Sequence, residues 1–430
     1  MSTTLIVLLI VIIMFGFMIA GMEIAIAMGM TSAFALIFVV DKPIDQLASA
    51  AFEVMNSFTL TAVPLFVFMG AIFFNTGVVK SLFTAIDKLV SGLPGGIGHS
   101  VIAANAVFGA MSGSSVAATA LFGKTCYPNM KELGYMDDLS LGTLVAGGTL
   151  AVLVPPSLIL IIYGGWENVS VARLFAAGMI PGFMLTCLFM LTIIIRVKLN
   201  PSLAPKSINY SLKERLASLK DIFPYLILIF IILGAIFGGA MTPTEAAAAG
   251  AILSVVLAVI YRQMTFKAFV DSLKTAVNIT AMVAFLLISA RVLGQVFQYT
   301  GLIDMASGIF LSLPGGKYTT ITVIFLMYII LGFFFDSLSM MVLTLPFISP
   351  VVGELGFSPI WFGVVYVVVA EIGLLTPPFG LNLFVLQGVT GKSISAIVRS
   401  TLPFFIPLFL MIFLLTIFPQ LALWLPGVMY

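Results

Sequence analysis

Residues 109–120 read "GAMSGSSVAATA", with three serines, a threonine and two glycines in twelve positions. They stand in a 430-residue chain that is 61% hydrophobic and only 8% charged, with a mean hydropathy of +1.22. A soluble protein would carry roughly 25% charged residues. Apolar runs such as 223–240 and 404–423 approach the length needed to cross a bilayer. The composition therefore predicts an all-α, polytopic membrane protein, and small polar residues inside it need a reason.

The runs on either side of the stretch, 97–111 and 116–130, are short. At about 1.5 Å per residue, 15 residues reach only about 22 Å, against a hydrocarbon core of about 30 Å. They fit a re-entrant hairpin, about 97–132, turning at Ser112-Gly113-Ser114-Ser115. A second hairpin fits about 318–352, turning at "FFDSLS" with Asp336 and Ser337. Non-helical backbone at that depth survives only where protein buries it or where it lines a watery cavity. Hydroxyls and freed carbonyls there offer oxygens to a hard cation, and N–H groups offer donors to an anion. The competing reading is a small-residue packing motif at the serines and a helix-end acid at Asp336.

Two Pro-Pro pairs interrupt apolar helices. "GGTLAVLVPPS" (147–157) and "EIGLLTPPFGLN" (371–382) predict broken helices over about 137–165 and about 359–389. Each pair removes two backbone donors and frees carbonyls in the preceding turn. The pairs also expose a repeat. Pro155-Pro156 and Pro377-Pro378 are 222 residues apart, as are Glu23 and Glu245, Ser115 and Ser337, and Pro181 and Pro403. "LPGG" recurs at an offset of 220 and "TG" (76–77) at 224. Two halves are predicted, 1–197 and 222–430, joined by a basic cytoplasmic loop over 198–221, with scaffold helices at 1–75 and 222–298.

Lys and Arg place 196–220 and 262–275 on the cytoplasmic side. Counting spans then puts Glu245 outside and Glu23 inside, so the halves are inverted. Inverted repeats with discontinuous helices are a transporter pattern, with the site where the repeats meet. Segments 41–58 and 262–275 mix charge with an apolar face and read as surface arms. Thr242-Pro243-Thr244-Glu245 reads as a helix-capping box. Arg291 either pairs with an acid or anchors a substrate carboxylate. Glu371 either caps the broken helix or couples protons.

Other chemistries lack their residues. His99 is the single histidine, and Cys126 and Cys187 have no ligand spacing. Gly123-Lys124-Thr125 and Gly391-Lys392-Ser393 lack the earlier glycine of a phosphate-binding loop. No enzyme activity, no metal beyond a coupling ion and no nucleic-acid partner are expected.

The stretches "GAMSGSSVAATA", "VPPSLILIIYG", "FGGAMTPTEAAAAGA", "DSLSMMVLTLPFISP" and "GLLTPPFGLNLFVLQG" together resemble the large membrane subunit of tripartite ATP-independent periplasmic (TRAP) transporters, over essentially the whole chain. The resemblance implies sodium-coupled uptake of an organic acid, such as sialic acid or a C4-dicarboxylate, by an elevator motion in the bacterial inner membrane. It implies two partners, a small four-helix membrane subunit and a soluble periplasmic binding protein. The chain offers no spare segment for either. It also implies sodium near Ser112, Ser114 and Ser115 with Gly147 and Thr149, and near Asp336 and Ser337 with Gly373 and Thr376. The small organic anion is then expected near Ser114, Pro155, Pro156, Pro377, Pro378 and Asn382, with Arg291 as a possible anchor. The alternative is a stand-alone proton- or sodium-coupled carboxylate carrier that needs no binding protein; an ion channel is a third class.

Overall fold

The computed structural model describes residues 3–90, 92–206 and 210–429, leaving aside the side chains of Thr3, Thr4, Val79, Lys80, Ala110, Met111, Ser112, Asp221, Ile222 and Tyr225. The Ser112 side chain, an expected sodium ligand, thus lies outside the described residues. No strand occurs among the described residues.

The first half runs α1 (Thr3–Ile19), α2 (Ile24–Phe38), α3 (Asp45–Met55), α4 (Ala62–Asn75), α5 (Val78–Val90), α6 (Ile97–Ser112), α7 (Ser115–Glu132), α8 (Asp137–Leu153), α9 (Leu158–Glu167) and α10 (Val171–Leu199). The second runs α11 (Leu212–Phe237), α12 (Pro243–Ile260), α13 (Phe266–Tyr299), α14 (Leu302–Leu311), α15 (Lys317–Leu331), α16 (Ser337–Glu354), α17 (Pro359–Leu375), α18 (Leu381–Thr390), α19 (Ile394–Ile417) and α20 (Gln420–Met429). Both ends of α7 and α16, and of α8 and α17, differ by 222. The repeat in sequence is therefore a repeat in elements. Among the described residues, six helices are long and apolar enough to cross a membrane.

Helices α8 and α17 form the centre. Every residue from Leu139 to Leu153 and from Trp361 to Leu375 is buried. Such helices are apolar all round because no face of them meets solvent or lipid. α8 packs on α6, α7 and α19, and α17 packs on α15, α16 and α19. Small residues permit the closest approaches. A Cβ on Gly109 of α6 would stand 2.3 Å from the Ala151 Cα of α8, and one on Gly373 of α17 would stand 2.8 Å from the Gly332 Cα beyond α15. A second group of helices, α2, α4, α11, α12 and α13, packs largely among its own members.

Two expectations change. The basic segment 198–221 is not all loop: α10 reaches Leu199 and α11 begins at Leu212, so Lys213, Arg215 and Lys220 are helical. Ser211 starts that helix, its Oγ accepting from the Glu214 N–H while Glu214 Oε2 accepts from the Ser211 N–H, which satisfies two otherwise orphaned donors. The arm 262–275 is likewise not separate, because α13 runs unbroken from Phe266. In the first half the arm α3 does turn, by 65°, into the segment ending at α4. The turn falls at Asn56-Ser57-Phe58, after which a 3₁₀ turn leads into α4, whereas α13 contains no such interruption.

Candidate functional site where the two hairpin tips meet

Each hairpin tip is a short non-helical turn closed by a cap. Gly113 takes φ +60° after α6, a left-handed conformation that glycine adopts without a Cβ penalty. Its place against the Leu158 backbone N, 2.7 Å from where a Cβ would be, seats the first tip on the start of α9. Ser114 then caps α7, its Oγ accepting from the Ala117 N–H at 3.3 Å. At the second tip Asp336 caps α16. One carboxylate oxygen accepts from the Leu338 and Ser339 N–H groups at 2.9 and 3.0 Å, and the other from Ser339 Oγ at 2.5 Å.

The tips share one cavity of about 350 Å³, whose lining includes Ser114, Ser115, Asp336 and Ser337, closed on another side by Val67 and Val283. Behind it lies Glu371, 1% exposed, on the last turns of α17 before the break. Ser337 Oγ donates to Glu371 Oε1 at 3.2 Å and Asn382 Nδ2 donates to Oε2 at 3.4 Å. Ser115, from the other tip, lines the same cavity as Ser337. One carboxyl therefore ties the second tip to both sides of the second break. Among the described residues no Lys or Arg pairs with it. Tyr366 donates its hydroxyl to the Ser337 carbonyl and fixes the same turn.

Several buried oxygens around this junction have no partner, which is unusual because buried polar atoms are nearly always satisfied. Asn382 Oδ1 is one. Asn105 Oδ1 and Thr119 Oγ1 are two more, on the first-half side. A Cβ on Gly147 would stand 2.8 Å from Asn105 Nδ2, and one on Gly148 would stand 2.1 Å from Thr119 Oγ1 and 3.1 Å from the Ser115 carbonyl. Oxygens without donors, beside the two glycines of α8 and beside Glu371, are the kind of ligand a small hard cation takes.

The breaks are stitched differently. Val154 and the pair Pro155-Pro156 separate α8 from α9, and Ser157 Oγ donates to the Val152 carbonyl at 2.5 Å. That bond satisfies an acceptor freed by the prolines. In the second break Thr376 Oγ1 donates to the Ile372 carbonyl at 2.6 Å. Gly380 follows, where a Cβ would come within 2.6 Å of the Leu374 carbonyl.

The expected residues divide accordingly. Ser114, Ser115, Asp336 and Ser337 meet at the tips. Gly147 and Thr149 sit behind the first tip, Thr149 donating to the Ala146 carbonyl. Gly373 packs on Gly332 and Thr376 ends α17. Pro155, Pro156, Pro377 and Pro378 do not line the tip cavity, and Asn382 reaches it only through Glu371. Arg291 lies elsewhere, its Nε donating to Glu53 Oε2 at 3.2 Å. Sequence reasoning had not placed Asn105, Thr119 or Tyr366, and had left Glu371 without a ligand role. An Asn and a Glu inside apolar helices were the available signal.

Paired hairpins and paired broken helices in an all-helical, multi-span chain define a membrane transport fold. A similar fold occurs in the solved structure of the Alcanivorax borkumensis YdaH transporter, with a TM-score of 0.59 at 16% identity over 99% of this chain and 98% of that one. The chain belongs to the family described as "Tripartite ATP-independent periplasmic transporter, DctM component", whose sequence profile matches residues 11–421. It is 34% identical over 414 residues to the sialic acid TRAP transporter large permease protein SiaM of Vibrio cholerae, covering 96% of each. It is 33% identical over 404 residues to the C4-dicarboxylate TRAP transporter large permease protein DctM of Pseudomonas aeruginosa, covering 93% of this chain and 94% of that one.

Proposed function

We propose that this chain is the membrane subunit of a sodium-coupled, binding-protein-dependent secondary transporter that imports an organic acid by an elevator motion. The observation that carries the reading is the meeting of both hairpin tips at one cavity, with unpaired buried oxygens on the helices that carry them and on α18. Relatives named for sialic acid and for C4-dicarboxylates favour a carboxylate as solute.

In this reading one sodium ion is held at the first tip by Ser112, Ser114 and Ser115 with Gly147 and Thr149, and another at the second by Asp336 and Ser337 with Gly373 and Thr376. The coupling ions are cargo. Bound, they offset the negative charge of the acid and of Asp336 and Glu371 in a medium where an unpaired charge is costly. The solute occupies the cavity between the tips. The body carrying the tips, α6–α10 and α15–α19, moves against the scaffold of α2, α4, α11, α12 and α13. The half-exposed arm α3, turned by 65°, sits at the boundary. The basic segments face the cytoplasm of a bacterial inner membrane, so the Arg291 end of α13 is outermost. A small four-helix membrane subunit and a soluble periplasmic binding protein complete the system.

The test is uptake into proteoliposomes holding the chain and its small subunit, with sialic acid and succinate as probes. Uptake is expected only with the binding protein and an inward sodium gradient. Uptake of free solute by the chain alone contradicts binding-protein dependence, and uptake indifferent to sodium contradicts the coupling.

A further inference from the structure

Arg291 has two neighbours that its distance from the tips does not explain. Its guanidinium forms an ion pair with Glu53 of α3, and it lies 5.6 Å from the centroid of the Trp166 ring at the end of α9. A cavity of about 200 Å³ opens at the pair, with Ser57 and Asn168 also on its wall. The pair is half-exposed, with 37% of the Arg291 side chain and 54% of the Glu53 side chain accessible. Such pairs contribute little net stability, so exchanging one carboxylate for another at Arg291 is cheap.

Two further cavities follow this one. It shares Val54, Leu60 and Leu287 with a second cavity of about 220 Å³. The second shares Val283 with the cavity at the hairpin tips. The three form a row along α13 from Arg291 to Ile279, roughly 18 Å at 1.5 Å per residue. Among the described lining residues of all three, Arg291 is the one cation, and the inner end carries an acid, Asp336. An anion travelling along this row meets its positive charge at the outer mouth and nowhere further in.

We infer that Arg291 is a receiving site for the solute's carboxylate at the mouth of a path to the tips, and that Glu53 occupies it until the solute arrives. The planar guanidinium matches a carboxylate through two N–H donors. Ser57 and Asn168 add neutral partners for hydroxyl or amide groups, and Trp166 provides an apolar face. Scaffold helix α13 supplies Arg291 and the boundary arm α3 supplies Glu53, whereas the moving body supplies Trp166 and Asn168. The site therefore exists while the two bodies are in this relation. The inference rests on the organic-acid reading above.

The test uses the full chain in detergent and reads the emission of Trp166, taken as the difference between wild type and Trp166→Phe. Sialic acid and succinate are titrated as sodium salts at constant ionic strength, with succinamide as the uncharged control. A saturable change is expected with at least one acid and none with the amide. Arg291→Gln should weaken it about tenfold, as expected for losing a charge-assisted hydrogen bond, and Glu53→Gln should tighten it by removing the competitor. The exchanged pair Glu53→Arg with Arg291→Glu remakes the ion pair, so it would rescue a purely structural brace, but it must not rescue binding. Unfolding midpoints of all variants check that each folds. Binding of unchanged affinity in Arg291→Gln, or wild-type affinity in the exchanged pair, overturns the inference. So does the absence of any saturable change in a preparation whose wild type takes up either acid. If wild type takes up neither acid with its partners present, the transport reading itself fails and the inference falls with it.

Discussion

Thr149 on α8 and Glu371 on α17 occupy the same place in the two halves, 222 residues apart. One is a hydroxyl satisfied within its own turn. The other is a buried carboxyl that accepts a hydrogen bond from the second tip. The breaks that follow also differ: Pro155 and Pro156 are buried, whereas Pro377 and Pro378 are exposed. The backbone repeats, and the chemistry on it does not. A duplicated scaffold can thus carry one buried carboxyl at this repeat position rather than two.

The largest expected effect tests that asymmetry. Glu371→Gln should reduce sodium-driven uptake at least about 100-fold, equivalent to about 2.7 kcal/mol, whereas Thr149→Val should cost only several-fold. Without sodium, Glu371→Gln should unfold no earlier than wild type, because it removes a buried carboxyl that lacks a counter-charge. Equal losses of uptake in the two variants would make the difference between the halves chemically idle.

The close contacts, by contrast, should behave alike. Gly109→Ala and Gly373→Ala each push a methyl into a neighbouring Cα, at about 1–3 kcal/mol for overpacking. Denaturation in detergent checks this, and a neutral result at either position would mean that the helices yield there. Ser157→Ala should cost about 1 kcal/mol by unmaking the bond to the Val152 carbonyl. Phe379→Ala, at the equivalent exposed place, should leave the unfolding midpoint unchanged.

The smallest effect concerns the helix starts. Thr242 and Glu245 form a capping box at α12, while Glu23, the counterpart of Glu245, makes no side-chain cap at α2. Thr242→Ala should therefore lower stability by about 1 kcal/mol, and Glu23→Ala should not, in the same denaturation assay.

Much of this was legible because the breaking residues are local. Ser112-Gly113-Ser114-Ser115 and "FFDSLS" announce the turns, and each Pro-Pro pair announces a break. The Thr242–Glu245 cap was also read directly. The start of α11 was obscured by its charges, although Ser211 and Glu214 carry the spacing of a capping box. The unbroken course of α13 was hidden in the same way, by the charges near its start. What sequence could not supply was the long-range pairing. Glu53 is 238 residues from Arg291, and Ser337 is far from Glu371, so neither the ion pair nor that hydrogen bond follows from spacing.

The central claim, a sodium site at the joined tips, is tested most directly by thermal unfolding of the purified chain in sodium, potassium and choline chloride at equal ionic strength. A ligand that binds only the folded state raises its apparent stability. Wild type should unfold later in sodium alone, and Ser115→Ala and Asp336→Asn should each lose part of that gain. No sodium-specific gain in wild type, even with both protein partners present, would contradict the account.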